Sequence, residues 1–124
     1  GAERAKGAYA WRTLLEAGAR IAGGSDFPVE RVNPLLGLHS AMTRRRTSEP
    51  GPGVYDADQC MTPVEALRAF TIEAAHAAFQ ESTNGTLSAG KWADITVLPI
   101  DPLTANPERL LDAAAGRQVF TCLR

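Results

Sequence analysis

The feature that most constrains the fold is a single helix–turn–strand step near the start of the chain. Residues Glu3–Glu16 show the apolar spacing of an amphipathic helix, Gly18 is placed to end it, and Ala19–Gly23 follows as a short, apolar strand. This is the αβ half of a βαβ repeat, which favours a parallel sheet. One buried strand leaves both edges unpaired, so we expect its neighbours to come from another chain or from a larger fold.

Local start signals predict three further helices. Asn33 and Pro34 are a cap and a first helical residue, and the apolar stripe that follows runs to about Thr43. Thr62-Pro63-Val64-Glu65 forms a capping box, and the helical pattern continues to about Phe79 with an interruption at Thr71. Asn106-Pro107 starts a short helix. Strands are expected at residues 86–88, 93–100 and 117–124.

Composition excludes several classes of function. The 124-residue chain has a net charge of −1, which gives no global field for nucleic acid or an anionic membrane. No apolar run approaches the roughly 18 residues of a spanning helix, and the polar start lacks the apolar core of a secretory signal. Two cysteines, Cys60 and Cys122, form no disulfide framework, although pairing between them stays open. We therefore expect a cytoplasmic protein that binds neither nucleic acid nor membranes.

Asp26 is the residue that the sequence best places for chemistry. It follows the predicted strand and Gly23-Gly24, where the backbone allows close approach of other groups. Loops beyond the carboxyl ends of parallel strands carry the active sites of α/β folds. A carboxylate there can ligate a metal or act as a general base toward water. The alternative is that Ser25 or Asp26 caps a turn before Pro28.

Other chemically capable residues do not complete a site in the sequence. His39 and His76 lie on predicted helices, and no HxH, HExxH or CxxC motif is present. Glu30 is expected to be a solvated loop residue, and Arg44–Arg46 a solvated helix end that suits the helix dipole. With Asp26, the two histidines do not provide the three or four ligands of a zinc site.

Three blocks of the sequence resemble a known family. They are "GARIAGGSDFPVERVNPLLGLHSAMTRR", "MTPVEALRAFTIEAAHAAF" and "GTLSAGKWADITVLPIDPL", in that order. Together they resemble the C-terminal part of metal-dependent amidohydrolases, and within these the YtcJ-like, amidohydrolase-3 branch.

The resemblance implies an α/β fold with a (β/α)8 barrel and a small flanking β-sandwich. Ala19–Gly23 corresponds to the eighth barrel strand, and Asp26 to the aspartate that ligates the metal, typically zinc, and takes the proton from the attacking water. Residues 1–82 would then belong to the barrel and residues 83–124 to the β-sandwich. The implied reaction is hydrolysis of carbon–nitrogen bonds in small amide-type substrates.

The resemblance also implies what is missing. The family's HxH pair, its carboxylated lysine or equivalent and its later histidines belong to earlier strands, and neither His39 nor His76 matches those positions. We therefore expect a fragment that binds no metal and is inactive alone, mostly helical when isolated, and self-associating through exposed barrel surfaces. The alternatives are a non-catalytic oligomerisation or interaction module, and one half of a split enzyme.

Overall fold

The computed structural model describes residues 7–47 and 56–116, and this part of the chain is built from short helices. The longest has ten residues, and no helix within the described ranges is long and apolar enough to cross a membrane. The helices are α1 (Trp11–Glu16), α2 (Pro34–Thr43), a 3-10 turn (Ala57–Gln59), α3 (Pro63–Ala69), α4 (Ile72–Ala77) and α5 (Glu108–Ala115). The expectation of a mostly helical chain is confirmed.

The starts of α2 and α3, which capping residues predict, are confirmed. The Asn33 side chain accepts a hydrogen bond from the Leu35 N–H at 3.0 Å, and Pro34 begins α2. At the start of α3, the Thr62 N–H donates to Glu65 Oε2 at 2.7 Å and the Glu65 N–H donates to Thr62 Oγ1 at 3.3 Å. These bonds satisfy backbone donors that the first turn of a helix leaves without partners, so both starts are encoded locally.

Three helix boundaries can be compared with the predicted helices. The expected helix Glu3–Glu16 is wrong at residues 7–10, because the chain turns there, Tyr9 has a φ of 54° and the helix begins at Trp11. Gly18 does end this region, with the left-handed φ of 84° that favours glycine. The interruption at Thr71 is confirmed, and its hydroxyl donates to the Leu67 carbonyl at 2.8 Å.

The expected strands within the described residues are wrong. Residues 19–23, 86–88 and 93–100 form no strand, and Ile95 makes only an isolated bridge. The Gly23 N–H donates to the carbonyl of Ala69 at 2.8 Å, so a helix end takes the hydrogen bond that a neighbouring strand would take in a sheet. A strand needs a partner for its backbone groups, and this part of the chain offers none. The strand expected at 117–124 lies outside the described residues.

Helix α2 lies at the centre of the core and packs against α3 and α5. Leu35 and Leu110 are 0% and 1% exposed, and they bring α2 and α5 together. Apolar side chains of this kind are the main source of folding free energy. The other buried members of the cluster are Leu38, Ala41, Met61, Ala66 and Ala69. The division of the chain at residues 82 and 83 stays a prediction.

Candidate functional site

Asp26 lies on an exposed turn directly after Gly23-Gly24. Its backbone has a φ of 52°, a left-handed conformation that aspartate tolerates better than most residues, and its carbonyl accepts the Val29 N–H at 2.8 Å. The turn before α2 is therefore closed by the backbone. The carboxylate of Asp26 accepts no hydrogen bond from the described residues, so it remains open to solvent and to a ligand.

The loop that carries Asp26 also exposes large apolar side chains. Phe27, Val29 and Val32 are 68%, 75% and 72% exposed. Exposed apolar side chains that cluster on one surface commonly mark a site of interaction. Three large apolar side chains within seven residues of Asp26 are therefore exposed on the same loop.

The described residues do not fit a catalytic metal. Nowhere in residues 7–47 and 56–116 do three or more histidine, cysteine, aspartate or glutamate side chains form a group able to hold a metal ion. Asp26 is thus not brought together with His39 and His76 into such a set. A zinc site requires three or four protein ligands, so a metal held by this part of the chain alone is not supported.

His39 is a buried residue of the helical core. Its side chain is 1% exposed, and neither ring nitrogen has a hydrogen-bond partner among the described residues. Nε2 lies 3.6 Å from Glu108 Oε2, which is too far for a normal hydrogen bond. Burial lowers the pKa of His39, and the opposing effect of the Glu108 carboxylate is smaller. The imidazole is therefore neutral near pH 7 and serves packing between α2 and α5.

His76 is paired with a nearby carboxylate. Its Nδ1 lies 3.0 Å from Glu81 Oε1, and both side chains are about two-fifths exposed. The two residues are five apart in sequence, and their contact joins the last turn of α4 to the residues that follow the helix. It provides no second residue for the Asp26 site.

A cluster of ion pairs lies near Arg20, at the start of the segment of residues 19–26 that ends at Asp26. The buried carboxylate of Glu73 accepts from Arg20 Nε and from Arg68 Nη2, each at 2.5 Å. Burial acts to raise the pKa of Glu73, but the two guanidinium groups outweigh it and lower that pKa. The cluster joins residue 20 to α3 and α4. No sequence motif predicts the contact of Arg20 with Glu73, because these two residues are 53 apart in sequence.

The arginines after α2 also have structural contacts. Arg44 caps the helix with a φ of 53°, donates to the carbonyls of Tyr9 and Ala8, and lies 5.3 Å from the Trp11 ring centroid. Arg45 donates to Glu108 at 2.9 Å. Two of the three residues in the run therefore connect α2 to α1 and α5, which the expectation of a solvated helix end missed.

Cys60 is half-buried beside the 3-10 turn. Burial raises the pKa of its thiol, so the reactive thiolate is disfavoured. Cys60 forms no disulfide within the described residues, and Cys122 lies outside them.

Comparison with known proteins identifies a matching family and several relatives. The sequence pattern of the amidohydrolase family matches residues 1–120. The chain is 39% identical to the putative amidohydrolase YtcJ of Bacillus subtilis over 110 residues, which are 89% of this chain and 21% of that protein. It is 37% identical to the N-substituted formamide deformylase of Arthrobacter pascens over 92 residues, or 74% of this chain and 16% of the deformylase.

A plant protein is similar as well. Protein LONG AFTER FAR-RED 3 of Arabidopsis thaliana is 38% identical over 99 residues, which are 79% of this chain and 17% of that protein. The chain thus spans about a fifth of the length of these relatives, and no solved structure shows significant similarity. The resemblance seen in the three sequence blocks is confirmed, and the chain belongs to the amidohydrolase family.

Proposed function

We propose that this chain is part of a metal-dependent hydrolase that cleaves carbon–nitrogen bonds of the non-peptide amide type, with Asp26 as its catalytic carboxylate. The observation that carries the proposal is the family match through residues 1–120, which includes an open carboxylate at the end of a Gly-Gly segment. The name of the Arthrobacter relative describes the removal of formyl groups from N-substituted formamides. That reaction breaks a bond of the proposed class.

Hydrolysis of an amide requires a general base beside the water that attacks the carbonyl carbon. A carboxylate within hydrogen-bond reach of the water takes its proton as the carbon–oxygen bond forms, and it can return that proton to the leaving nitrogen. Asp26 suits this role because its carboxylate is exposed and accepts no hydrogen bond from the described residues. Glu30, four residues further along the same loop, is also exposed and provides a natural control.

The proposal assigns the remaining parts of the site to protein outside this sequence. The family is metal-dependent in general, and the residues described here do not fit a metal by themselves. In the complete enzyme, histidines from elsewhere would hold zinc, residues 1–82 would belong to the barrel and residues 83–124 to the flanking β-sandwich. The isolated chain is then expected to bind no zinc and to hydrolyse nothing.

A graft into the deformylase tests this function. A segment of this chain that contains Gly23–Asp26, Glu30 and Phe70 would replace the corresponding part of the Arthrobacter enzyme, and formate release from an N-substituted formamide would be measured. We expect the folded graft to release formate and the isolated chain to release none. A graft that is monodisperse and cooperatively folded but inert contradicts the proposal.

A second candidate is an assembly module, and the exposed apolar side chains favour it. Besides the Asp26 loop, Phe79 and Leu87 are 90% and 76% exposed. Burial of such side chains between identical chains would give a homo-oligomer, whereas burial against a separate chain with the histidine ligands would give a split enzyme.

Light scattering after size exclusion, at several concentrations, tests self-association, and an activity assay after mixing with a second chain tests the split enzyme. An oligomer is expected for the isolated chain. A monomer at all concentrations contradicts self-association, and activity that appears only on mixing with a second chain identifies the split enzyme.

A further inference from the structure

The Phe70 ring fills the space between two glycines that flank the Asp26 loop. A methyl group at Gly23 would lie 2.7 Å from Phe70 Cε2, and one at Gly37 would overlap Phe70 Cζ. Carbon atoms pack at about 3.5–4.0 Å, so neither position accommodates a side chain while the ring is there. Neither glycine has the left-handed φ that would otherwise require it. With the ring in this position, only glycine fits at either site.

The two glycines lie on either side of the loop. Gly23 begins it and is held by the hydrogen bond from its N–H to the Ala69 carbonyl. Gly37 lies in the first turns of α2, just after the loop ends at the Asn33 cap. By contrast, a methyl group at Gly24 would meet no atom within 4 Å. The Phe70 ring packs between Gly23 and Gly37, and it therefore fixes the distance between these two backbone positions.

We propose that Phe70 is a positioning residue for Asp26. Its ring sets the distance between the extended segment at Gly23 and helix α2, and the three residues from Gly23 to Asp26 transmit that distance to the carboxylate. This inference rests on the proposed catalytic role of Asp26, because a displaced carboxylate matters only where it must meet a reacting atom. Misplacement by about 1 Å can cost on the order of 100-fold in rate.

Amide hydrogen exchange on the 124-residue chain tests the spacing without any activity. Gly23→Ala should raise the exchange rate of the amide at position 23 by about tenfold or more, because the methyl group and the ring cannot occupy one space. In a Phe70→Leu background, which lacks the outer ring atoms, the same substitution should change that rate by less than about threefold. Gly24→Ala is the matched control and should leave exchange at position 23 unchanged.

Equal effects of Gly23→Ala in the two backgrounds overturn the proposal, because they show that the ring and the methyl group do not meet. If Gly23→Ala does not fold with Phe70 present, folding of the double variant is the predicted rescue. A double variant that stays unfolded while Phe70→Leu alone folds also overturns it.

The graft into the deformylase separates positioning from mere stability. Phe70→Leu should lower kcat about tenfold with KM within twofold, measured well below the unfolding temperature of each variant. An unchanged kcat, with Asp26→Asn inactive, overturns the positioning role. An Asp26→Asn graft that stays active overturns the proposed function instead, and the exchange measurements still decide whether Phe70 spaces the loop.

Discussion

The Glu65 carboxylate both caps a helix and forms an ion pair with Arg12. It closes the capping box of α3, and it forms a two-pronged ion pair with Arg12, with oxygen–nitrogen distances of 2.7 and 2.5 Å. Both side chains are about three-quarters buried. The hydrogen bonds from Arg12 lower the pKa of Glu65 from 4.5 to about 2. This contact ties α1 to α3.

Glu65→Gln should therefore lower the free energy of unfolding at pH 7 by about 1.5–3 kcal/mol, the range of hydrogen bonds to charged groups. Between pH 4.5 and 2 the unfolded chain takes up a proton at Glu65 more readily than the folded chain. The stabilisation is thus complete above about pH 4.5 and is lost as the pH falls toward 2. Urea unfolding of both proteins at several pH values measures it.

Glu30→Gln is the control for this comparison, because Glu30 is exposed and makes no ion pair with the described residues. It should unfold like the unmodified chain at every pH. A destabilisation by Glu65→Gln that is as large at pH 2 as at pH 7 would show that charge is not its cause.

At the residue scale, sequence reasoning succeeded where partners are close in the chain. Asn33 and Thr62 were predictable as caps because their partners lie two or three residues away. His39 and Glu108 are 69 residues apart in sequence (108 minus 39). No local pattern therefore encodes the contact between them. Asp26 was singled out by its glycines, but the reason for Gly23 became visible only with the ring of Phe70 in place.

At the element scale, the contact between α2 and α5 dominates the described core. Leu110 of α5 is 1% exposed and belongs to the same cluster as Leu35 of α2. Leu110→Ala should lower the free energy of unfolding by about 2–5 kcal/mol, because it removes buried surface and leaves a cavity. Urea unfolding followed by circular dichroism gives the value.

Leu103→Ala provides the matched control for that substitution. Leu103 is 43% exposed, so the same truncation should cost less than about 1 kcal/mol. If the two variants lose equal stability, α5 does not form part of the central core in solution.

Helices and strands differed in how well the sequence predicted them. The capped helices α2 and α3 form as expected because their backbone hydrogen bonds lie within the element. The segment at residues 19–23 has the apolar residues of a strand, but a strand depends on neighbours that the described chain does not contain. The helix expected over residues 3–16 is wrong at residues 7–10, because apolar spacing alone does not reveal the turn at Tyr9.

At the scale of the whole molecule, the family was accessible from the sequence and the complete site was not. Three ordered blocks identify the amidohydrolase family, and the match extends over residues 1–120. The chain spans about a fifth of the length of its relatives, and residues 7–47 and 56–116 contain no group of side chains able to hold a metal ion. We propose that the exposed carboxylate of Asp26 becomes catalytic within a complete enzyme.

The most direct measurement is the turnover of the deformylase graft with Asp26 replaced by asparagine. Asn has almost the same shape but cannot take a proton from water at neutral pH, so kcat should fall by about 10² to 10⁴. Glu30→Gln in the same graft should keep kcat within twofold. An Asp26→Asn graft with kcat within threefold of the unmodified graft would contradict the claim.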